Sequence, residues 1–399
     1  MHLKEGFEDL PIGLAPPGWE TRTIGEMFEL INGCAFKLSD WKQSGTPIVR
    51  IQNLNDPEAP FNYFQGPVAE RNKVVAGDIL FAWSGTIGSS FGARIWHGPT
   101  GVLNQHIFKV LADDGKLAPS FALIVFSRVE EDIAREAHGF KASFVHVKKS
   151  DLQKDTLSIP PIEEQRAIAA VVSDVDALIA GLERLIAKKR DIKQATMQQL
   201  LTGQIRLPGF SEEWEIKRLG DICEISMGRT PPRLNSAMWG RGHVWLSIAD
   251  LQGKVVFKSK EQITDLAAST MAFVPKGTLL MSFKLSIGRL CFAGCDLYTN
   301  EAICAFNKLE ANADYLYYAL GRTDFSLYGK QAVKGYTLNK QSLALVEVSL
   351  PARDEQVAIA SVLSDIDADV SALESRLAKT RAIKHGIMHE LLIGRTRLV

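Results

Sequence analysis

Apolar positions along the chain follow two rhythms. Short β-branched and aromatic runs, punctuated by Gly and Pro, occupy residues 48–54, 78–83 and 107–111 and again 245–250, 278–283 and 302–306. They predict strands in mixed units. Elsewhere the spacing becomes seven. Ile168, Val175 and Leu182 form one row and Val172, Ile179 and Ile186 another; later, Ile359, Ile366 and Leu373 run beside Leu363, Val370 and Leu377. Paired rows of this kind are the seam of a long helix, with Ile192 and Leu200 nearby in the first copy and Ile383 and Leu391 in the second. Pro160, Pro161 and Pro351 mark the entrances, and Gly203 and Gly394 sit where each helix should stop. The outer faces are charged, through Glu183, Arg184, Lys188, Lys189 and Arg190 and through Glu374, Arg376, Lys379 and Arg381.

Both rhythms occur twice because the chain repeats itself. Trp19-Glu-Thr-Arg-Thr-Ile-Gly25 matches Trp214-Glu-Ile-Lys-Arg-Leu-Gly220, 195 residues on. Pro47 to Leu54 parallels Val244 to Leu251. Gly77-Asp-Ile-Leu80, followed by Ile87-Gly88, parallels Gly277-Thr-Leu-Leu280 and Ile287-Gly288 at an offset of 200. Small insertions account for the drift. From Ser158-Ile-Pro-Pro-Ile-Glu-Glu-Gln165 against Ser349-Leu-Pro-Ala-Arg-Asp-Glu-Gln356 to Leu200-Leu-Thr-Gly203 against Leu391-Leu-Ile-Gly394, the offset stays at 191. A segment copied without insertion is one in which length matters.

Each helix, about 40 residues and roughly 60 Å long, carries a stripe that must be covered. The simplest solution is for the two to bury their stripes against each other, antiparallel. The expected architecture is α+β: two mixed α/β units held apart by two long antiparallel coiled-coil helices, related by an internal pseudo-twofold repeat. The expected boundaries are 1–157 and 208–348 for the globular units, and 158–207 and 349–399 for the helices.

Composition limits what such a chain can do. With 399 residues, 46% of them hydrophobic, it can build two or three cores. Lys+Arg and Asp+Glu are both 46, giving a formal net charge of zero, so any nucleic-acid binding must come from local basic surface. The first ten residues lack the basic and apolar regions of a secretory signal, and apolar runs such as 121–126 and 167–172 are too short to cross a bilayer. Five cysteines without framework spacing suit reduced thiols in a cytoplasm.

The order of these landmarks resembles the specificity subunits of Type I restriction-modification systems over nearly the whole chain. The resemblance is carried by the Pro-x-x-x-Glu-Gln start of each helix, the Leu-Leu-x-Gly end, and the stretch from Gly77-Asp-Ile-Leu80 to Gly88. It implies that the globular units are target recognition domains and the helices conserved spacers that dock modification subunits. The implied function is reading of a bipartite, gapped duplex DNA site and the guiding of adenine-methyltransferase and restriction subunits to it. It also implies two modification subunits per chain, restriction-translocation subunits as further partners, and a bacterial or archaeal cytoplasm. No cofactor is expected in this chain: S-adenosylmethionine would belong to the modification subunit, and ATP and magnesium to the restriction subunit. Half-sites read from one face of a duplex lie roughly 34 Å apart, and one helical turn added to the spacer would move a recognition domain by about 5.4 Å. A protein-only coiled-coil adaptor and a stand-alone DNA-modifying enzyme are the competing readings.

The two units differ where the helices agree. Loops 32–46 and 227–242 share little beyond Gly33 and Gly228, and 81–86 differs from 281–286 at most positions. Base edges are read by directed hydrogen bonds, and phosphates by cations and amides. The candidates in the first unit are therefore Lys37, Arg50, Asn53, Ser84, Thr86, Lys141, Ser143 and Lys148. In the second they are Arg229, Arg233, Ser247, Lys284, Ser286, Lys334, Tyr336 and Lys340. Arg50, in an apolar run, is alternatively expected to pair within its own unit.

Catalytic signatures are missing. Thr230-Pro-Pro-Arg233 lacks the polar start and the aromatic end of an amino-methyltransferase motif, Phe292-Ala-Gly-Cys-Asp296 lacks a second glycine, and no Gly-x-x-x-x-Gly-Lys-Ser/Thr occurs. Glu215-Ile-Lys217 has the acid-x-Lys form of a nuclease but reads as a surface strand. Cys291, Cys295 and Cys304 lack a second close pair for zinc and read as buried thiols, and His385 and His389 read as helix-end histidines.

Overall fold

The computed structural model describes residues 16–398 apart from 57, 113–116, 140–143, 285 and 333–334, and it leaves out the side chains of 135–139, 330–332 and 335–337. Two compact units emerge. One joins residues 1–181 to 377–399, and the other is the continuous run 182–376.

In the first unit the strand Glu20–Thr23 pairs antiparallel with Thr156–Ile159, so the start and end of the globular part are tied together. An antiparallel sheet follows the order Phe28–Asn32, Ile107–Ala112, Ile79–Ala82, Gly92–Ile95. A second sheet has the order Asn62–Phe64, Thr46–Val49, Gly101–Leu103, Lys73–Val74. The helix Pro119–Gly139 packs on the first sheet: Phe126 meets Phe28 edge-on with ring centroids 4.8 Å apart. The same core takes in Ile168, Ala169 and Val172 from the first long helix and Met388 and Leu391 from the second.

The second unit repeats the plan. Glu215–Arg218 pairs with Glu347–Leu350, and the main sheet runs Glu224–Met227, Ile303–Asn307, Leu279–Ser282, Leu290–Ala293, with Val255–Val256 added at the edge. A three-stranded sheet, Glu261–Ile263, Trp239–Leu246, Tyr298–Thr299, accompanies it. Its core includes Tyr315 and Leu316 from the helix Ala313–Gly321, Leu200 and Leu201, and Ile359 and Leu363.

Two expected strands stop early, for one reason. The run 48–54 is a strand only to Val49; Arg50 then caps a short helix, Ile51–Asn55, because the Asn53 side-chain oxygen accepts from the Arg50 amide at 3.1 Å. In 245–250 the strand ends at Leu246, and Asp250 accepts from the amide and hydroxyl of Ser247 at 2.8 and 2.6 Å to start a single 3-10 turn. A short polar side chain three residues on offers the backbone a partner that competes with the sheet.

The long helices are Ile162–Leu200 and Arg353–Leu392. Gly203 and Gly394, at φ +70° and +69°, end them in the left-handed conformation that glycine adopts without strain. Within each unit the two helices run antiparallel. Lys384 pairs with Asp176 at 2.7 Å in the first unit; in the second, Lys193 pairs with Asp367 at 2.5 Å and Lys189 with Asp369 at 2.7 Å. The first two of these bridges are repeat equivalents. Ile168, Val172, Leu182, Ile186, Ile359 and Leu363 are buried, while Val175, Ile179, Ile366, Val370, Leu373 and Leu377 are half-buried. Ile192 and Ile383 do not continue the seam and stay 44% and 57% exposed. Each falls one residue short of the next sevenfold position, which is held instead by Lys193 or Lys384, the bridging lysines.

Candidate nucleic-acid interface

The variable loops spring from glycines that the fold requires. A Cβ on Gly33 would lie 2.0 Å from the Asn104 carbonyl oxygen, and one on Gly228 would lie 2.0 Å from that of Thr299. Both obstacles are backbone, so neither can swing aside. Gly228→Ala is expected to cost about 1–3 kcal/mol in overpacking and to displace the loop; a thermal melt together with a DNA-binding assay checks it.

Beyond these glycines the loops share a frame that their sequences hide. In the first unit a 3-10 turn, Leu38–Asp40, is closed by Asp40 accepting from the Lys37 amide at 2.8 Å, and Trp41 then lies under the Arg50 guanidinium at 4.9 Å. In the second unit a 3-10 turn, Ser236–Met238, is capped by the Asn235 side chain, and Trp239 lies under Arg233 at 4.1 Å. The indole of Trp239 also donates to the Pro232 carbonyl at 3.1 Å. Alignment misses the correspondence because the turn begins five residues after Gly33 but eight after Gly228, and the stacking arginine lies nine residues after the tryptophan in one unit and six before it in the other.

The predicted contact residues separate by environment. Lys37, Lys148, Arg229, Arg233 and Lys340 are exposed. Arg233 also bridges to Glu261 at 2.6 Å, and the Arg229 carbonyl accepts from the Trp245 indole at 3.0 Å. Arg50 is drawn inward, donating to Asn62 at 3.0 Å. Asn53 is buried, with its amide nitrogen on the Ala59 carbonyl at 3.0 Å. Ser84 is buried and Thr86 half-buried in the strand Ser84–Thr86, which pairs with Phe144–His146. Ser247 is spent on Asp250. Half-buried Lys284 lies over the Phe283 ring at 5.4 Å, and the Ser286 carbonyl accepts from the Ser282 hydroxyl. Lys141, Ser143 and Lys334 lie outside the described residues, as does the Tyr336 side chain.

Sequence reasoning passed over a second duplicated feature, at the helix entrances. Glu164 is fully buried, accepts two hydrogen bonds from Arg397 at 2.6 and 2.8 Å, and takes a third from the Trp19 indole at 2.9 Å. In the other unit Glu355, also fully buried, accepts two from Arg206 at 2.6 Å each and one from the Trp214 indole at 3.2 Å. Each carboxylate opens one helix, and its arginine follows the glycine that ends the other. The neighbouring glutamines are duplicated too: Gln165 bridges the Ala118 amide and the Pro160 carbonyl, and Gln356 bridges the Asn312 amide and the Pro351 carbonyl. The Pro-x-x-x-Glu-Gln signature therefore ties a helix entrance both to its own globular unit and to the end of the opposite helix. Arg206 and Arg397 stand 191 residues apart, so the constant offset was the signal that could have revealed them.

Burial pushes the Glu164 carboxyl up, but the bonds from Arg397 and Trp19 and the charge of Arg397 outweigh it and hold the group below its ordinary 4.5. A carboxyl depressed on folding contributes stability above its unfolded value and loses it as pH falls through the folded one. The first unit should therefore weaken as pH drops below about 4.5, and Glu164→Gln should flatten that acid limb in a pH-resolved melt.

The groups that might suggest catalysis are otherwise engaged. Glu215 and Lys217 pair with each other at 2.8 Å on an exposed strand. Cys223, Cys291 and Cys304 are buried and Cys34 and Cys295 half-buried; burial raises the thiols of Cys223 and Cys291 to about 12. His385 lies 3.3 Å from Glu131. Among the described residues no cluster of three or more His, Cys, Asp or Glu could hold a metal ion, and no helix is long and apolar enough to cross a membrane.

Two units on one frame, with unlike loops and each locked to a pair of long helices, define a class of duplicated subunit. The Type I restriction modification DNA specificity domain matches residues 16–190 and again 211–380, and the chain belongs to that family. It is 25% identical over 430 residues to a putative type I restriction enzyme MjaX specificity subunit of Methanocaldococcus jannaschii, covering 100% of this chain and 98% of that one. To the MjaVIII specificity subunit of the same organism it is 22% identical over 429 residues, covering 100% and 97%. In fold it is similar to a chain from a structure describing assembly and conformational transition of the type I R-M system (TM-score 0.61, 20% identity, 95% and 98% covered). It is similar also to the Type I restriction-modification S subunit from M. genitalium (TM-score 0.57, 16% identity, 96% and 98% covered). The chain is a DNA sequence specificity subunit and is not itself catalytic.

Proposed function

We propose that this subunit reads a two-part, gapped duplex target, one half-site per globular unit, and brings methyltransferase and restriction subunits to it. One observation carries the reading: the same glycine, 3-10 turn and stacked Trp–Arg pair supports two loops of unlike sequence, as an asymmetric two-part target demands. The recognition domains are 1–157 and 208–348, and the spacers 158–207 and 349–399. The contacts with DNA fall first to the exposed cations Lys37, Lys148, Arg229, Arg233 and Lys340. The repeated helices offer two equivalent docking faces, hence two modification subunits per chain, with the paired helices fixing the gap. S-adenosylmethionine then belongs to the modification subunit, ATP and magnesium to the restriction-translocation subunit, and the assembly works in a bacterial or archaeal cytoplasm.

Methylation mapping of a host genome with and without this gene, beside its modification subunit, tests the reading. Loss of one gapped adenine-methylation motif is expected; an unchanged methylome with the partner expressed refutes it. Replacing residues 211–345 with those of a relative of different specificity should alter one half-site and leave the other intact. A change in both would argue against independent domains.

A further inference from the structure

The two most exposed large apolar side chains among the described residues are Leu234, at 101%, and Leu38, at 79%. They occupy corresponding loops, one in each unit, just before or within the 3-10 turn that leads to the stacked tryptophan. Single exposed leucines are common on protein surfaces, and Leu327 at 77% is one, but two highly exposed leucines at matching places in a duplicated frame call for a shared cause.

Neither leucine is loosely held. Leu38 opens a turn closed by the Asp40 side chain. Leu234 sits in a turn where the Asn235 amide donates to the Pro232 carbonyl at 3.1 Å, next to Arg233 packed against the rings of Trp239 and Trp245. The platforms keep both side chains in solvent. Both loops carry an excess of cations: loop 32–46 has Lys37 and Lys42 against Asp40, and loop 227–242 has Arg229, Arg233 and Arg241, with Glu261 paired to Arg233 and Glu301 bonded to Thr230 from neighbouring segments. An apolar partner surface would not call for that charge, whereas a polyanion with stacked apolar faces inside it calls for both.

Resting on the reading of each unit as a DNA recognition domain, we propose that Leu38 and Leu234 are wedges. Each enters a base step of its own half-site while the flanking cations hold the phosphates. Leucine inserted between base pairs unstacks them and bends the duplex, so each unit discriminates by how easily a step opens as well as by base edges. A protein that directs a base-modifying enzyme gains a second advantage, since the modified base must leave the stack.

The test uses the full chain assembled with its modification subunits on the duplex found by methylation mapping, with 2-aminopurine placed in turn through each half-site. Wild type should brighten the probe at one step per half-site other than the position of the methylated adenine, which leaves the stack on its own account. Leu234→Ala should abolish the signal in one half-site and weaken binding roughly tenfold, Leu38→Ala should do the same in the other, and Leu234→Met should retain both properties. A mismatch at the affected step should restore binding to the alanine variants, because a step already open needs no wedge. Wild-type brightening retained in the alanine variants, or weakened binding that a mismatch does not rescue, would overturn the wedge while leaving DNA reading intact. Failure of the wild-type assembly to bind the duplex would instead sink the recognition reading itself.

Discussion

Leu363→Ala should destabilise the second unit by about 2–5 kcal/mol, the range for a fully buried leucine cut back to alanine. Leu363 is fully buried and shares its core with Ile359, Leu200, Tyr315 and Leu316. The long helix here is part of the globular core, so the cavity is walled by several elements and cannot easily collapse. Ile383→Ala on the same helix removes an exposed side chain and should change stability by no more than about 0.5 kcal/mol. Chemical denaturation of the two variants side by side gives the contrast. Equal effects would mean that the apolar rows do not define the buried face.

Arg206→Ala should lower the melting transition of the second unit by roughly 5–10 °C, because it strands the fully buried Glu355 without its cation. The two hydrogen bonds from Arg206 span the carboxylate as a fork. Lysine cannot reproduce that geometry, so Arg206→Lys should recover only part of the loss. Removing both charges together, with methionine at 206 and leucine at 355, should recover more than either single change, since a buried pair is costly mainly when broken. Calorimetry of the single and double variants decides it. A double variant as weak as Arg206→Ala would show that the clamp contributes more than charge compensation.

The helices were legible because their pattern is long and strict: seven-residue rows predicted the buried face from Ile168 to Ile186 and at Ile359 and Leu363. Bracketing prolines and glycines placed the ends close to Ile162–Leu200 and Arg353–Leu392. The rows stop before Ile192 and Ile383, where apolar character continues past the point at which the spacing breaks. Strands 48–54 and 245–250 were overextended because hydrophobicity does not register a capping Asn53 or Asp250. The loops were least legible. A stacked Trp–Arg pair is made by side chains that meet in space from different sequence distances, so Trp41 with Arg50 and Trp239 with Arg233 look unrelated on paper. Candidate residues chosen by type alone thus mixed exposed cations such as Lys37 and Arg229 with buried Asn53 and Ser84. The clamps were recoverable in principle, since both acids and both arginines obey the repeat offset, but an acid near a proline and an arginine after a glycine give no hint of each other.

The first unit draws Met388, Leu391 and Arg397 into its core and clamp from the last stretch of the chain, whereas the second is the unbroken run 182–376. On a translating ribosome, where domains generally fold as they emerge, the order of completion is therefore inverted. The first unit is completed only after residues 182–376 have all been made, and Ile168 and Val172 stay partly uncovered until Met388 and Leu391 reach them.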